Sequence, residues 1–505
     1  MSAKDMGHDW SESADVVVLG FGLAGAVSAI VASDQDSSAD VLIVEKMPER
    51  FVGGNSRASG QTIFCPTDRD ALRRYKMAMD EPNPLPGPVL EAWLDEVVVL
   101  EGWLTTMASA VGHRYVHTNR GNANSVLVEF PEFPGSECVK FNSTIEPNPS
   151  GVWNCFHRHV EKRRIRTLFE SAATKLVQDP DTREVLGVEV TSGSVRRAIR
   201  AKRGVVLCTG GFENNLAMQR NLWGVDRVYT LGTPGNTGDG LKMLQRAGAD
   251  LWHVRNVTQS GGFWPAFKVP EFEAAFMRRS RLTHFSFIEI ARDGRRFNNE
   301  TTPYRLRHAK QLIHGRWVDA PHAYVTPAYM IMDKAMMDAA PLVGWFSHPI
   351  GWNSVVLGYE WSADNRKELG SGWIKQCDSI AAIAQETGIK EATLGRTIAE
   401  YNQSSAEGID REFGRPAGEM LPLAGPPYFV IEIVPAIVST TGGGRRNAHG
   451  QVLDHDGRVI PRLYEAGELG AANPNLYQSG AFLTDCLAFG RIAGRNAVRE
   501  RPWAN

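Results

Sequence analysis

Residues 15–46 read DVVVLGFGLAGAVSAIVASDQDSSADVLIVEK, and this stretch decides the fold. The uncharged, β-branched run at 16–19 is typical of a strand buried on both faces of a parallel sheet. Three glycines follow in the order G-x-G-x-x-G, and small apolar residues then continue to Ala32 in the manner of a packed helix. A second apolar run, Val41–Val44, ends in Glu45. The order predicts a β-α-β unit that binds a dinucleotide.

Each part of this pattern has a physical purpose. Gly20 permits the tight turn, Gly22 lets the backbone approach a pyrophosphate, and Gly25 lets the helix lie close to the strand. The N-terminus of that helix favours the anion. Glu45 can accept hydrogen bonds from an adenosine ribose. Glycines also mark ordinary turns, but here the strand, helix, second strand and terminal acid are all present at the right spacing.

Composition excludes several other classes of protein. With 505 residues the chain should form at least two domains. The net charge of −2 gives no support for binding to nucleic acid or to a membrane surface. The six cysteines contain no C-x-x-C pair, so we expect no metal site, attached haem or iron–sulfur cluster.

The apolar run at 16–33 is long enough to suggest a membrane span, but its glycines favour a buried β-α unit. It has no basic n-region or A-x-A-like cleavage site, so we expect no signal peptide and a cytoplasmic protein.

Further glycine-rich stretches follow the first unit. Residues 52–60 read VGGNSRASG, with permissive backbone and short polar side chains that suit phosphate and flavin edges; a plain polar loop is the alternative. Residues 204–211 read GVVLCTGG, a predicted strand that brings a second backbone approach to the dinucleotide. Residues 233–240 read TPGNTGDG and predict a turn that leads into a helix.

The remaining pattern divides the chain into three parts. Residues 1–250 form a first dinucleotide-binding part, in which 1–14 is expected to be a loose leader. The β-α rhythm then stops, and residues 251–370 are predicted to be an inserted cap rich in arginine and aromatic residues. Residues 371–505 return to the first domain and include predicted helices at 374–387, 391–403 and 481–498.

Several motifs in this order carry a family resemblance: GFGLAG at 20–25, EK at 45–46, GGNS at 53–56, RGVVLCTGGF at 203–212, NTGDG at 236–240, DGRRFNNE at 293–300, LYEAGE at 463–468 and FGRIAG at 489–494. The chain resembles the fumarate reductase/succinate dehydrogenase flavoprotein superfamily over nearly its whole length. The resemblance implies an α/β fold in which a Rossmann-type FAD-binding domain with a mixed sheet is interrupted by an α+β substrate-capping domain. It also implies redox chemistry at a C–C bond beside an electron-withdrawing group.

Departures from the family pattern bear on the substrate. Residues 438–443 read VSTTGG where fumarate reductases carry His-His-Thr-x-Gly-Gly, and Tyr477 stands where they place an arginine. Both changes argue against fumarate. YQSG at 477–480 resembles 3-ketosteroid dehydrogenases and tricarballylate dehydrogenase, whereas GGNSR at 53–57 resembles the tricarballylate branch. Ketosteroid-like and polycarboxylate-like substrates therefore both stay open. No histidine lies between 53 and 62, so we expect FAD to be non-covalent.

The catalytic candidates lie in the cap and before the last helix. Tyr304 roughly matches an active-site tyrosine of the ketosteroid enzymes, and Arg305 and Arg307 could lower its pKa or act as the acid themselves. The alternative is an exposed, charged helix start. Tyr477, with Ser479 beside it, could donate to a substrate carbonyl or carboxylate, or Tyr477 could simply pack against the flavin.

The remaining candidates bind the cofactor, and Glu468 is expected to accept from its ribityl chain. The cofactor-binding residues are Gly20, Gly22, Leu23, Ala24, Gly25, Glu45, Lys46, Gly54, Asn55, Ser56, Ser59, Gly60, Thr209, Gly210, Gly211, Asn236, Asp239, Glu468, Gly480, Ala481 and Leu483. The predicted protein is an FAD-dependent dehydrogenase or reductase with a small-molecule substrate and a separate electron acceptor or donor. The alternatives are an amine or amino-acid oxidase of the aspartate oxidase kind, an electron-transfer subunit, and an inactive binding protein.

Overall fold

The computed structural model describes residues 9–118, 128–256, 264–268, 275–279, 282–301, 310–319, 325–343, 352 and 358–503. The chain forms two compact units. The first comprises Met1–Met218, Gly232–Gln259 and Ser439–Asn505. The second comprises Gln219–Leu231 and Ser260–Val438, so it is inserted into the first along the chain.

The described strands, in chain order, are β1 Trp10–Leu19, β2 Val41–Val44, β3 Arg114–His117, β4 Ser143–Glu146, β5 Arg166–Leu168, β6 Ala172–Gln178, β7 Val185–Ser192, β8 Val195–Leu207, β9 Tyr229–Thr230, β10 Leu251–Trp252, β11 Trp264–Lys268, β12 Ala275–Met277, β13 Phe287–Ile290, β14 Lys310–Ile313, β15 Arg316–Asp319, β16 Ala328–Asp333, β17 Lys375–Cys377, β18 Tyr428–Ile437, β19 Gly443–Gly444, β20 Gln451–Leu453 and β21 Val459–Glu465. The described α-helices are α1 Leu23–Gln35, α2 Gly54–Ala58, α3 Arg69–Asp80, α4 Gly87–Val97, α5 Leu100–Ala110, α6 Gly151–Lys162, α7 Leu216–Met218, α8 Asp239–Arg246, α9 Lys334–Ala339, α10 Arg366–Gly370, α11 Ile380–Thr387, α12 Glu391–Glu407 and α13 Ala481–Arg499.

A mixed eight-stranded sheet forms the centre of the first unit. Its main order is β20-β21-β8-β1-β2-β5, and β7 and β6 continue from the first half of β8. Strands β1, β2, β5, β8 and β21 are parallel to one another. The register pairs Val16 with Val41 and Leu19 with Val44. All four of these residues are buried, and the paired runs at 16–19 and 41–44 contain no charged residue, as the sequence pattern predicted.

Helices α1 and α13 pack closely through small residues. A Cβ added to Gly494 would lie 2.2 Å from the carbonyl oxygen of Ser28, and one added to Gly490 would lie 3.1 Å from that of Ala24. Only glycine allows this approach, since any side chain would push the helices apart. The FGRIAG motif at 489–494 therefore brings the last helix onto the first.

The second unit has its own sheet, with the order β12-β11-β18-β16-β13 and with β17 and β9 also paired to β18. The pairs are antiparallel apart from β9 with β18. Helices α11 and α12 cover this sheet through a buried cluster that includes Ile383, Leu394 and Ile331. The motif at 293–300 lies inside this unit, where Arg296 pairs with Glu300 at 2.7 Å. The predicted α/β fold class is confirmed.

Three local predictions differ from the structure. Residues 10–14, expected to belong to a loose leader, are the start of β1, whose Trp10 lies 6.4 Å from the Trp503 ring. The helix predicted from 374 begins at Ile380, because the Ser379 side chain caps it and 375–377 pairs with β18. Finally, the second unit continues to Val438 instead of ending at 370, since β18 is the central strand of its sheet.

Three properties of the described residues concern other classes of site. All six cysteines are buried free thiols. In this part of the chain, no group of three or more histidine, cysteine, aspartate or glutamate residues is arranged to hold a metal ion. Likewise, none of the described helices has both the length and the apolar character needed to cross a bilayer.

Candidate functional site

A cleft opens in the first unit, where its parallel strands end. The residues that follow β1, β2, β8 and β21 all line it: Gly20, Glu45, Cys208 and Ala466. In open parallel sheets, ligands bind in the crevice outside the carboxyl ends of the strands. The position of the cleft is therefore a direct consequence of the sheet topology.

The glycine turn forms one wall of the cleft. Gly20 has a φ of +99°, and a Cβ there would lie 2.3 Å from the carbonyl oxygen of Cys208. A Cβ on Gly25 would lie 1.9 Å from the carbonyl oxygen of Gly20, so this glycine lets α1 begin directly beneath the turn. Gly22 differs, because the nearest atom to its added Cβ is Ser56 Oγ at 3.6 Å. Its missing side chain leaves cleft space that a pyrophosphate can occupy.

The first turn of α1 suits an anion. It contains no acidic residue, and its N-cap, Gly22, offers no side-chain acceptor. The backbone N–H of Leu23 donates to Ser56 Oγ at 3.1 Å, which ties the turn to helix α2. The positive end of the α1 dipole therefore faces the cleft, and no side chain in the first turn of α1 brings a negative charge there.

Glu45 lies at the end of β2 and braces the glycine turn. Its Oε2 accepts from the backbone N–H of Phe21 at 2.7 Å, and its Oε1 accepts from that of Met47 at 2.7 Å. Burial raises the pKa of this carboxyl, which the backbone donors partly offset. A carboxylate has about four acceptor positions, so capacity remains for a ribose hydroxyl.

The walls of the cleft also contain an ion pair and a buried hydroxyl group. Lys46 Nζ and Asp239 Oδ2 form an ion pair at 2.6 Å, and both side chains are partly exposed. The Thr209 hydroxyl is buried and has no hydrogen-bond partner among the described residues. An unsatisfied buried hydroxyl costs free energy, so a bound ligand with a polar group would stabilise this wall.

Asn55 joins the second glycine-rich stretch to the far wall. Its Oδ1 accepts from the backbone N–H of Thr233 at 2.8 Å, while its Nδ2 donates to both Glu213 and Glu468. Asn236 Nδ2 donates to the same two carboxyl groups. Glu468 Oε1 also accepts from the backbone N–H of Thr440 at 2.8 Å. This cluster unites segments that are more than 400 positions apart in sequence.

The structure brings fourteen of the predicted cofactor residues to this cleft: Gly20, Gly22, Leu23, Ala24, Glu45, Lys46, Gly54, Asn55, Ser56, Thr209, Gly210, Asn236, Asp239 and Glu468. The other seven lie outside its lining: Gly25, Ser59, Gly60, Gly211, Gly480, Ala481 and Leu483. Ser59 Oγ donates to the carbonyl oxygen of Ser56 at 3.1 Å, so it stabilises the end of α2. Gly480 is the N-cap of α13, with a φ of +90°.

The catalytic candidates fall into two groups. Tyr304, Arg305 and Arg307 lie outside the described residues. Tyr477 is buried, its hydroxyl accepts from the backbone N–H of Gly480 at 3.0 Å, and burial raises its pKa. Ser479 Oγ lies 2.5 Å from Glu129 Oε1. The segment before α13 is thus held by one hydrogen bond within itself and by one to Glu129.

Sequence reasoning missed two acids of this unit. Glu213 follows Gly210-Gly211-Phe212 directly, so its position after a glycine turn at a strand end was an available signal. Glu129 lies in a stretch rich in proline and glycine, and nothing in the local pattern distinguishes it. Cys208, Cys486, Met47, Ser171 and Thr233 also line the cleft without having been predicted.

Comparison with known proteins agrees with this geometry. The sequence model of the family described as FAD binding domain matches residues 15–481. A digoxin reductase of Eggerthella lenta is 23% identical over 98% of this chain and 89% of its own length. An NADH:fumarate oxidoreductase of Klebsiella pneumoniae is 24% identical over 99% of this chain, which spans 49% of that relative.

A solved structure shares the fold. It is a 3-ketosteroid delta1-dehydrogenase from Sterolibacterium denitrificans in complex with 1,4-androstadiene-3,17-dione. The TM-score is 0.75 at 18% identity, with 97% of this chain and 100% of the other covered.

Proposed function

This chain belongs to the FAD binding domain family, and from that membership we propose that it dehydrogenates, or in reverse reduces, a C–C bond activated by a carbonyl or carboxylate. FAD is its cofactor, and the protein is an oxidoreductase of the CH–CH group. The observation that supports this function best is the cleft at the strand ends, with its glycine turn, open Gly22 face and α1 N-terminus. When bound, FAD supplies the hydride exchange at one carbon.

The chain's own residues would bind and orient the cofactor. The turn at Gly22 and the start of α1 would hold the pyrophosphate, and Glu45 would accept from the ribose while it braces the turn. The unpartnered Thr209 hydroxyl offers a further polar contact. We propose non-covalent binding, because residues 53–62 contain no histidine.

The proton chemistry would come from tyrosine and arginine. We propose Tyr304 as the group that exchanges a proton with the substrate, with Arg305 or Arg307 lowering its pKa or acting as the acid. Tyr477 would donate to the substrate carbonyl or carboxylate, and the Ser479–Glu129 hydrogen bond would hold its segment. The Tyr477 hydroxyl accepts from the backbone N–H of Gly480, and a phenol that accepts a hydrogen bond keeps a proton of its own to donate.

For the substrate we propose a ketosteroid-like or polycarboxylate-like molecule. Tyr477 replaces the arginine that clamps a dicarboxylate in fumarate reductases, which favours a carbonyl as the group bound there. The GGNSR motif at 53–57 favours the polycarboxylate class. We further propose a cytoplasmic protein with a separate electron acceptor or donor, in keeping with six buried free thiols.

Anaerobic reduction of the bound flavin tests the function. The purified protein should be yellow, and a panel of 3-oxosteroids, tricarboxylates and amino acids should include one class that bleaches the flavin. Bleaching by an oxosteroid or tricarboxylate supports the proposal and selects between the two classes. Bleaching by amino acids alone, with hydrogen peroxide formed in air, would instead establish an oxidase.

A further inference from the structure

Glu213 and Glu468 form a buried acid pair at the wall of the cleft. Glu213 is fully buried, and Glu468 is 8% exposed. Each carboxyl group receives hydrogen bonds from neutral amide donors, namely the side chains of Asn55 and Asn236. Two negative charges at such a place would repel each other with little solvent to screen them.

The two carboxyl groups lie side by side, because the amide nitrogens of Asn55 and Asn236 each donate to both of them. An ionised carboxylate only accepts hydrogen bonds, so a direct hydrogen bond between the two groups needs a proton on one of them. Burial side by side makes two ionised groups costly, and one retained proton removes that repulsion.

The amide distances show which member carries the charge. Asn55 Nδ2 lies 2.6 Å from Glu213 Oε1 and 3.0 Å from Glu468 Oε2. Asn236 Nδ2 shows the same difference, because it lies 2.8 Å from Glu213 Oε1 and 3.3 Å from Glu468 Oε2. Hydrogen bonds to ionised acceptors are the shorter ones. Both amides lie closer to Glu213, which favours Glu213 as the carboxylate and Glu468 as the acid.

The ionisation behaviour agrees with this assignment. Burial raises the pKa of Glu213 to about 7. Burial, and then the charge of Glu213, raises the pKa of Glu468 well above its ordinary value. In a coupled pair the two protons leave in separate steps, so above pH 7 one proton remains.

We propose that at pH 8 the acid pair binds a single proton, carried by Glu468 and donated to the Glu213 carboxylate. Glu213 is then a positioning residue, which keeps Glu468 neutral where it lines the FAD cleft. The proposal rests on the proposed FAD site. It adds to the role expected for Glu468, an acceptor for the ribityl chain, that this residue lines the FAD cleft as a neutral acid.

With one shared proton, the acid pair gives the cleft wall one negative charge, whereas two ionised glutamates would give it two. This matters because the pyrophosphate of FAD is itself anionic. The other titratable side chains that line the cleft are Glu45, Lys46, Asp239, Cys208 and Cys486. Lys46 and Asp239 neutralise each other, and burial keeps both cysteines as thiols by raising their pKa. The backbone donors of Phe21 and Met47 hold Glu45.

Infrared difference spectroscopy of the FAD-loaded protein at pH 8 tests the shared proton. The reference is the double variant Glu213→Gln/Glu468→Gln, which lacks both carboxyl groups. Wild type minus this reference should show one carboxylic-acid carbonyl band and one carboxylate band. Each single variant minus the reference should show a carboxylate band only, because the proton leaves once its partner is gone. The exposed Glu400→Gln change gives the control spectrum for loss of a surface carboxylate.

Other spectra would overturn the proposal. Two carboxylate bands in the wild-type difference mean that no proton is shared, and an acid band retained in a single variant means that burial alone protonates that residue. If the double variant does not fold, wild type minus each single variant should show loss of an acid band alone. Loss of a carboxylate band there refutes the proposal. Flavin absorbance on the same samples separates the two questions: wild type without flavin contradicts the FAD site, whereas flavin-loaded protein without the acid band contradicts only the shared proton.

Discussion

A single methyl group at Gly22 tests whether the cleft receives a pyrophosphate. The residue has φ −87° and ψ −170°, a conformation open to any amino acid. An added Cβ would meet Ser56 Oγ at 3.6 Å and the carbonyl oxygen of Gly53 at 3.8 Å, both ordinary contact distances. The folded chain should therefore accept Gly22→Ala, and loss of glycine freedom from the unfolded chain should stabilise it by roughly 0.4–1 kcal/mol.

The Gly22→Ala substitution should instead weaken the binding of FAD. The methyl group would occupy the cleft face of the turn, where the backbone must approach the pyrophosphate. Adding a methyl to a fitted contact costs roughly 1–3 kcal/mol. That range corresponds to FAD binding weaker by about 5- to 150-fold. We therefore expect a stable protein that binds FAD poorly.

The assay has two readouts and a matched control. FAD affinity is measured from the quenching of its fluorescence by protein freed of cofactor, and stability is measured by thermal unfolding. In Gly25→Ala, the added Cβ would lie 1.9 Å from the Gly20 carbonyl oxygen, so this variant should unfold at lower temperature as well as lose FAD. Folded Gly22→Ala protein with FAD affinity within about twofold of wild type would refute the assignment of the turn.

Three further perturbations address other parts of the molecule. Tyr304→Phe should keep the yellow cofactor and slow turnover by roughly 10²-fold, the usual cost of losing a general acid or base; unchanged turnover removes this residue from the mechanism. Glu45→Ala frees the backbone N–H groups that the carboxylate binds, so the protein should purify with little flavin, and full occupancy would contradict that role. Burial raises the pKa of Glu465 from its ordinary 4.5 to about 8. The stability linked to this group is complete below about pH 4.5 and is lost as pH rises through about 8. The free energy of unfolding of Glu465→Gln, measured by chemical denaturation, should therefore rise relative to that of the wild type by up to about 5 kcal/mol between pH 4.5 and pH 9. A difference that does not change with pH would show that this carboxyl does not titrate as expected.

Local patterns were sufficient to predict the β-α-β unit. Gly20 and Gly25 each meet a steric demand set by a residue a few positions away or by the adjacent strand, whereas Gly22 leaves open space in the cleft. The acid pair was beyond local reasoning, because Glu213 and Glu468 come together only when β8 and β21 pair in the sheet. The true start of helix α11 was missed for a similar reason, since 375–377 becomes a strand only by pairing with β18, more than 50 residues later.

The first unit is assembled from three separated stretches of the chain. The glycine turn is synthesised before the inserted unit, but β21, Glu468 and Cys486 are synthesised after it, and they belong to the sheet and to the cleft lining. A nascent chain that has emerged only as far as the inserted unit therefore lacks Ala466, Glu468 and Cys486 from the cleft lining and has an unfinished sheet edge. The full cleft lining therefore forms only after synthesis has passed Cys486, and until then the edge of β8 that pairs with β21 is open to other strands.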